Sequence, residues 1–151
     1  MEVHRETKDE CNAADGGFSA HLQKDEEADN MSLTQDLSNI VGPEWVSSEQ
    51  DQRAAYAKDD SFVSPEMPQC VVKPGSVEEI QETVHWANRQ KTPLVPVSSG
   101  APRIRGDTIP AKGGVVVDLE RMQRIIRMDR KNRVIVIEPG VTFAQLAPVL
   151  E

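Results

Sequence analysis

The sequence predicts an α+β fold, in which a small sheet that contains a βαβ unit is flanked by helices. Two observations predict it. From residue 69 onward, short β-branched runs at 70–72, 94–97, 115–119 and 134–137 alternate with Pro-Gly or Gly-Gly turn signals. A long helical pattern separates the first two runs, and strand, helix and strand within about 30 residues is typical of a βαβ unit with parallel strands.

Residues 1–31 are predicted to be a disordered acidic leader, because they carry no periodic apolar pattern. The first 60 residues hold 15 acidic and 5 basic side chains, whereas residues 61–151 hold 10 and 12, so the formal charge of −8 belongs to the amino-terminal part. The acidic cluster between Asp25 and Asp29 is interpreted as a solvated spacer, with an interaction tail as the alternative.

Composition also excludes several classes of protein. No apolar run approaches the roughly 18 residues of a membrane span, and no basic stretch leads into an apolar one as in a secretory signal. The negative charge argues against nucleic acid as a partner. Cys11 and Cys70 lie in unlike contexts, which favours reduced thiols and a cytoplasmic location. His4, Cys11 and His21 are too irregularly spaced for a metal site, so no metal is expected.

Residues 32–68 are predicted to form a lead-in helix and an extended connection. Ser32 is the expected amino-terminal cap, apolar side chains recur at helical spacing at positions 33, 37, 40 and 41, and Gly42-Pro43 ends the helix. A further helical turn is expected within residues 49–60. Pro65 and Pro68 then indicate extended chain.

Residues 69–151 are predicted to be the compact part, with Cys70 as a core residue of the first strand. Ser76 and Glu79 have the spacing of a capping box at the start of a helix that Thr92-Pro93 closes. The apolar face of that helix is expected to comprise Val77, Ile80, Val84 and Ala87. The last helix, from about Thr142, is still amphipathic at Glu151, so the chain is expected to be incomplete and to need a partner half.

The loop at residues 98–110 is the segment that could carry chemistry. It follows the second strand of the βαβ unit, and ligands of open α/β sheets bind beyond the carboxyl ends of strands. Its serines, glycines and arginines suit a phosphate group, because small residues admit backbone amides and guanidinium groups pair with phosphate oxygens. A solvent loop with scattered arginines remains the alternative. The loop has neither a Walker motif nor a Rossmann fingerprint.

Four ordered motifs carry a family resemblance. They are Val-Val-Lys-Pro-Gly-Ser-Val-Glu-Glu-Ile (71–80), Pro-Leu-Val-Pro-Val-Ser-Ser-Gly (93–100), Val-Val-Val-Asp-Leu-Glu-Arg-Met (115–122) and Ile-Glu-Pro-Gly-Val-Thr-Phe-Ala-Gln-Leu (137–146). Together they resemble the N-terminal half of the FAD-binding domain of the vanillyl-alcohol oxidase and p-cresol methylhydroxylase superfamily. The resemblance implies a truncated p-cresol methylhydroxylase-type fold, with residues 69–151 as a partial FAD-binding domain.

The resemblance also implies a cofactor and the residues that hold it. FAD is the expected cofactor, and the loop after the second strand is expected to wrap its pyrophosphate. The implied FAD-binding residues are Val97, Ser98, Ser99, Gly100, Ala101, Arg103, Gly106, Pro139, Gly140 and Val141. Turn geometry alone is the alternative for Gly140. Ala101-Pro102 is stiffer than the glycine-rich loop of most members. The loop has no His, Cys or Tyr, so attachment of FAD to this segment is expected to be non-covalent.

The implied function is the N-terminal FAD-binding portion of a flavin-dependent oxidoreductase that oxidises a phenol or a 2-hydroxy acid. The alternative is a non-catalytic fragment or small subunit that docks on a larger flavoprotein. No catalytic residue is identified, and Asp118 and Glu138 are interpreted as structural strand-end acids. The expected partners are FAD and a missing C-terminal half or companion subunit. A basic run within residues 121–133 is interpreted as a solvated hairpin or subunit surface rather than a nucleic-acid site.

Overall fold

The structure, a computed structural model, describes residues 30–98, 106 and 108–150. The helices in these residues are α1 (30–41), α2 (Gln50–Ala54), α3 (Val77–Gln90) and α4 (Phe143–Leu150), with a 3-10 turn at Pro43–Trp45. The strands are β1 (Val46–Ser47), β2 (Cys70–Val72), β3 (Leu94–Val97), β4 (Val115–Asp118), β5 (Ile125–Asp129) and β6 (Val134–Ile137). Among the described residues, no helix is long and apolar enough to cross a membrane.

Four of the strands form one sheet in the order β1-β2-β4-β3. Strand β4 is parallel to both β2 and β3, and Val116 lies opposite Val71 on one side and Val95 on the other. Strand β1 pairs antiparallel with β2. The predicted βαβ unit is therefore β2, α3 and β3, and β4 lies between its two strands. This arrangement confirms the α+β prediction.

The core has two layers because successive strand residues point to opposite faces of the sheet. One face packs against α1 and α3 through a cluster of buried residues: Leu37, Val41, Cys70, Val72, Trp86, Ala87, Val115 and Val117. The other face holds a smaller cluster of Tyr56, Val71, Val97 and Val116. Cys70 is fully buried, as predicted, and burial raises the pKa of its thiol to about 12. Cys11 lies outside the described residues.

Helix α1 differs from its prediction at the amino-terminal end. Residues 30 and 31 are already helical, so Ser32 lies inside the helix and is not its cap. The hydroxyl of Thr34 donates to the carbonyl of Asn30 at 2.7 Å, a bond along the helix that apolar spacing does not reveal. At the other end Gly42 stops the helix with a φ of 93°, as the Gly-Pro signal predicts.

Helix α3 begins as predicted but buries a different face. Ser76 Oγ accepts from the amide of Glu79 at 3.2 Å, and the Glu79 carboxylate reaches back to the amide of Gly75 at 2.7 Å. The predicted apolar face is wrong at Val77 and Val84, which are 48% and 42% exposed, and correct at Ala87, which is 5% exposed. The buried residues of the helix are Thr83, Trp86 and Ala87.

The buried face of α3 differs from the predicted one because two of its polar side chains have hydrogen-bond partners within the protein. The hydroxyl of Thr83 donates to the carbonyl of Glu79 at 2.8 Å, and Trp86 Nε1 donates to Asp36 on α1 at 3.0 Å. A buried hydroxyl or indole N–H costs little when it is hydrogen-bonded, so a pattern of apolar residues alone does not identify such a face.

Strands β5 and β6 form an antiparallel hairpin. The sequence predicts β6 and a hairpin region, but β5 is a strand that the sequence analysis misses, since Arg127 and Asp129 interrupt its apolar residues. The solvated interpretation of the basic run is wrong for Arg121. Its guanidinium lies 3.8 Å from the ring centre of Trp45 and donates to the carbonyl of Lys73 at 2.7 Å.

Candidate functional site

The carboxyl ends of β2, β3 and β4 lie at one edge of the sheet because the three strands are parallel. The residues that follow β4 extend this edge. The amide of Leu119 donates to the carbonyl of Val97 at 2.8 Å, so the end of β3 is joined to the segment after β4. The predicted FAD loop therefore begins at this edge, with Val97 buried and Ser98 exposed.

The turn at residues 139–141 reaches the same edge from a distant part of the sequence. The amide of Gly140 donates to the carbonyl of Met122 at 2.8 Å, and the amide of Val141 donates to the carbonyl of Glu138 at 3.2 Å. A Cβ atom on Gly140 would lie within 3.0 Å of three backbone carbonyl oxygens, those of Leu119, Glu120 and Met122. Glycine at position 140 is needed for this close approach. Turn geometry, the alternative explanation for Gly140, is therefore supported, and a role in FAD binding stays a prediction.

The structure brings the two predicted site segments together through residues 119–122. Val97, Ser98, Pro139, Gly140 and Val141 belong to this connected edge. Four predicted FAD-binding residues lie outside the described residues, and their role stays a prediction: Ser99, Gly100, Ala101 and Arg103.

Gly106, the last predicted residue of the loop, is held by a different segment. Its amide donates to the Asp59 carboxylate at 2.5 Å. The backbone of Gly106 has a φ of 75°, a left-handed conformation that glycine adopts without strain. Gly106 therefore lies beside residues 59–63.

Glu138 is buried at the base of the hairpin and is clamped by Arg124. One carboxylate oxygen accepts from the Arg124 amide at 2.8 Å, and the other accepts from its Nε at 2.7 Å. These hydrogen bonds, together with the positive charge of Arg124, hold the pKa of Glu138 below its ordinary value. Because Pro139 and Gly140 follow directly, the clamp fixes where the turn begins. This geometry agrees with the structural interpretation of Glu138.

Replacing Glu138 with glutamine is expected to remove a pH-dependent part of the stability. The depressed pKa means that the native state favours the carboxylate, so its contribution is present above the ordinary pKa of 4.5 and is lost as the pH falls through the lower native-state value. The difference in free energy of unfolding between the parent chain and Glu138→Gln should shrink below that pH in urea titrations. Glu82→Gln, an exposed site on α3, is the control; equal profiles for both variants would contradict the clamp.

Asp118 ends the central strand and is the buried centre of a polar cluster that the sequence did not predict. The hydroxyl of Tyr56 donates to one Asp118 oxygen at 2.5 Å, and the amide of Glu120 donates to the other at 3.0 Å. Lys73 Nζ lies 4.0 Å from Asp118 and 2.6 Å from the Glu120 carboxylate. The sequence signal is weak: Tyr56 is the single tyrosine of the chain, within an otherwise polar and alanine-rich segment.

Carboxylates near this edge would repel a dianionic group unless donors of the chain engage them. Asp59, Asp118 and Glu138 are the carboxylates that contact the segments described above, and each accepts hydrogen bonds from donors of the chain itself. Two of them also have a cation nearby, since Lys73 Nζ lies 4.0 Å from Asp118 and Arg124 pairs with Glu138 at 2.6 Å. Among the described residues no cluster of three or more His, Cys, Asp or Glu side chains has the geometry of a metal site.

Known proteins resemble this chain in both sequence and structure. It is 35% identical over 119 residues to D-2-hydroxyglutarate dehydrogenase of Stutzerimonas stutzeri, a match that covers 79% of this chain and 25% of that protein. It is 33% identical over 110 residues to the flavoprotein subunit of hydroxylating 4-cresol dehydrogenase of Pseudomonas putida, covering 71% and 21%.

The structure of p-cresol methylhydroxylase with substrate bound superposes with a TM-score of 0.65 at 27% identity, covering 84% of this chain and 25% of that one. The chain thus spans about a quarter of the length of these proteins, and the superposition confirms the predicted type of fold. Residues 68–151, more than half of the chain, match the family described as FAD binding domain. The chain therefore belongs to this family of FAD-binding domains, with FAD as its cofactor.

Proposed function

We propose that the carboxyl edge of the sheet binds the pyrophosphate of FAD, without a covalent bond from this segment. The observation that carries the proposal is the meeting of the 97–98 and 139–141 segments at one edge, joined by the backbone hydrogen bonds of Leu119 and Gly140. Within this proposal, residues 69–151 are the FAD-binding part and residues 32–68 are a lead-in segment. The predicted loop residues, including Arg103, supply amides and a guanidinium group to the phosphates.

We further propose that the whole protein is an oxidoreductase that acts on a 2-hydroxy acid or a phenol. The names of two relatives, a D-2-hydroxyglutarate dehydrogenase and a 4-cresol dehydrogenase, support these two substrate classes. FAD, when bound, supplies the redox chemistry, whereas this chain binds and orients it. A cytoplasmic location belongs to the same proposal.

A second candidate function is docking on a larger flavoprotein without catalysis. It is favoured by apolar side chains that remain exposed on the hairpin and on α4. Ile126 is 62% exposed, Phe143 90% and Leu150 56%. Apolar side chains concentrated on neighbouring elements are typical of surfaces that another protein part covers. A C-terminal half of the same protein or a companion subunit would fit this surface.

Quenching of flavin fluorescence tests the FAD site directly. The chain is expected to bind FAD saturably and to bind riboflavin, which lacks the pyrophosphate, far more weakly. Replacing Arg103 with alanine should weaken FAD binding about tenfold, the effect of losing a charged hydrogen bond of about 1.5 kcal/mol. Arg89→Ala, an exposed site on α3, is the matched control. Equal affinities for FAD and riboflavin would contradict pyrophosphate recognition, and the absence of saturable FAD binding would favour the docking function.

A further inference from the structure

The tip of the β5–β6 hairpin and the end of α4 border an open cleft of about 240 Å³, the hairpin cleft. Its lining combines apolar and charged side chains: Met128, Asp129, Arg130, Arg133, Val134, Ile135 and Leu150. Val134 is 46% exposed and Leu150 is 56% exposed, so the described residues leave the apolar part of the cleft uncovered. An apolar cavity of about 150 Å³ can hold a benzene ring. The hairpin cleft therefore has room for one aromatic side chain.

The hairpin that carries this cleft is strongly basic. Residues 124–137 hold five basic side chains and one acidic one, Asp129. Asp129 accepts hydrogen bonds from the amide of Asn132 at 3.0 Å and from its side chain at 2.7 Å. Arg124 pairs with Glu138. The other four basic side chains form no salt bridge with any described residue: Arg127, Arg130, Lys131 and Arg133. The hairpin thus offers positive charge to an acidic partner.

Residues 18–29 of the same chain have the complementary character. Phe18 supplies an aromatic side chain and Leu22 a second apolar one. The segment ends in an acidic cluster with four carboxylates: Asp25, Glu26, Glu27 and Asp29. An aromatic residue followed by acidic residues matches a cleft of aromatic size with a basic rim. This complementarity favours the interaction tail, the alternative to a solvated spacer for the acidic cluster.

The segment is long enough to reach the hairpin cleft. Residues 18–29 directly precede Asn30, where the described chain begins, and twelve extended residues span about 40 Å. A folded unit of about 100 residues has a radius of gyration of about 13 Å. A short tether also gives the segment an effective concentration in the millimolar range. Weak apolar and ionic contacts are therefore sufficient to keep the cleft occupied.

We propose that residues 18–29 dock on the hairpin cleft, with the Phe18 ring against Val134 and Leu150 and the acidic cluster beside Arg130 and Lys131. The docked segment covers part of an apolar surface that is otherwise open to other chains. The contact does not depend on the proposed FAD site, because the cleft is formed by the hairpin tip and α4 and contains no residue of the carboxyl edge of the sheet. A companion part that covers the same surface has to displace this segment.

A nitroxide label next to Phe18 tests the contact by NMR in the whole chain. Ala20→Cys in a Cys11→Ser background carries the label, because Cys70 is fully buried and its thiol is protected from the reagent. The label should broaden the amide signals of residues 128–135 at low ionic strength, and its chemical reduction should restore them. In about 1 M NaCl, where the Debye length is about 3 Å, the broadening should fall severalfold. Signals of residues 128–135 that stay sharp at low ionic strength would overturn the proposal.

Charge reversal tests whether the basic rim directs the docking. Arg130→Glu combined with Lys131→Glu should reduce the broadening severalfold, because the rim then repels the acidic cluster. Arg89→Glu combined with Lys112→Glu, at two exposed sites outside the hairpin, changes the net charge equally and is the matched control. Equal broadening in the two double variants would show attraction without a defined site and would contradict the proposal.

Truncation of the aromatic side chain tests the apolar part of the contact. Phe18→Ala should also reduce the broadening of residues 128–135 severalfold, since the ring no longer fills the cleft. Val3→Ala, which removes an apolar side chain outside the segment, is the control and should leave the broadening unchanged. If Phe18→Ala behaves like Val3→Ala, the cleft does not hold the Phe18 ring and the proposed docking is wrong.

Mixed samples show which copy of the chain supplies the segment. Isotope-enriched chain without the nitroxide is mixed with an equal amount of spin-labelled chain that is not enriched. The enriched signals of residues 128–135 should stay sharp if the segment docks on its own chain. Broadening as strong as in the directly labelled sample would mean that a second copy occupies the cleft, which would overturn docking within one chain.

Discussion

Replacing Gly114 with alanine is expected to lower the free energy of unfolding by about 3 kcal/mol, the combined effect of backbone strain and overpacking. Gly114 precedes the central strand β4 with a φ of 95°, and a Cβ atom there would lie within 3.0 Å of the Pro93 carbonyl oxygen. That oxygen accepts from Val115 at 2.9 Å, and the Gly114 carbonyl accepts from Gln69 at 2.8 Å. Neither Pro93 nor Gly114 can shift without loss of a backbone hydrogen bond that aligns the strands. Urea unfolding followed by circular dichroism measures the change.

Gly113→Ala is the matched control for this prediction. Gly113 also has a positive φ, of 67°, but a Cβ atom there would meet nothing within 4 Å. Replacing Gly113 should therefore lower the free energy of unfolding by about 1 kcal/mol, the effect of backbone strain alone. If both alanine variants are destabilised equally, close packing against Pro93 is not what requires glycine at position 114.

Replacing Tyr56 with phenylalanine is expected to cost about 2 kcal/mol of stability, because it leaves the Asp118 carboxylate without its tyrosine donor. Asp118 is 2% exposed and Tyr56 is 7% exposed, so water is largely kept from the vacated position. The aromatic ring keeps its packing against the sheet in this variant, which isolates the loss of the hydroxyl. Urea unfolding of the variant, monitored by tryptophan fluorescence, gives the free energy.

A double-mutant cycle with Asp118→Asn provides the control for Tyr56. Two residues in direct contact should show an interaction free energy of about 1 kcal/mol or more, whereas independent sites add within roughly 0.5 kcal/mol. Additive effects of Tyr56→Phe and Asp118→Asn would show that the hydrogen bond between them contributes little to stability.

Local features of the fold were predictable because their causes are local. The strands β2, β3, β4 and β6 are short β-branched runs between turn residues, and the Ser76 cap of α3 depends on a residue three positions away. The buried face of α3 was not predictable from apolar spacing, since Thr83 and Trp86 are buried with polar partners. Strand β5 was not predicted because charged residues interrupt its apolar pattern.

The candidate site was predictable in part for a similar reason. The small residues and arginines after β3 indicate an anion loop, and the four motifs add the 139–141 turn by resemblance. The contacts that arrange the edge join residues far apart in sequence, 62 residues for Tyr56 and Asp118 and 47 for Asp59 and Gly106. No periodicity or spacing rule relates such pairs, so their partners come from the structure.

The position of β4 between β2 and β3 has a consequence for the order of folding. Every pairing in the four-stranded sheet joins strands that are far apart along the chain, and the central strand is also the last of the four to be synthesised. The hairpin of β5 and β6, by contrast, joins strands that are neighbours along the chain, and β-hairpins form in about 1–10 μs. In refolding of the whole chain the hairpin should therefore form early, whereas the pairings of β2 and β3 with β4 need longer loops to close. Completion of the sheet therefore depends on β4, and we expect mutations in that strand to slow folding more than they speed unfolding.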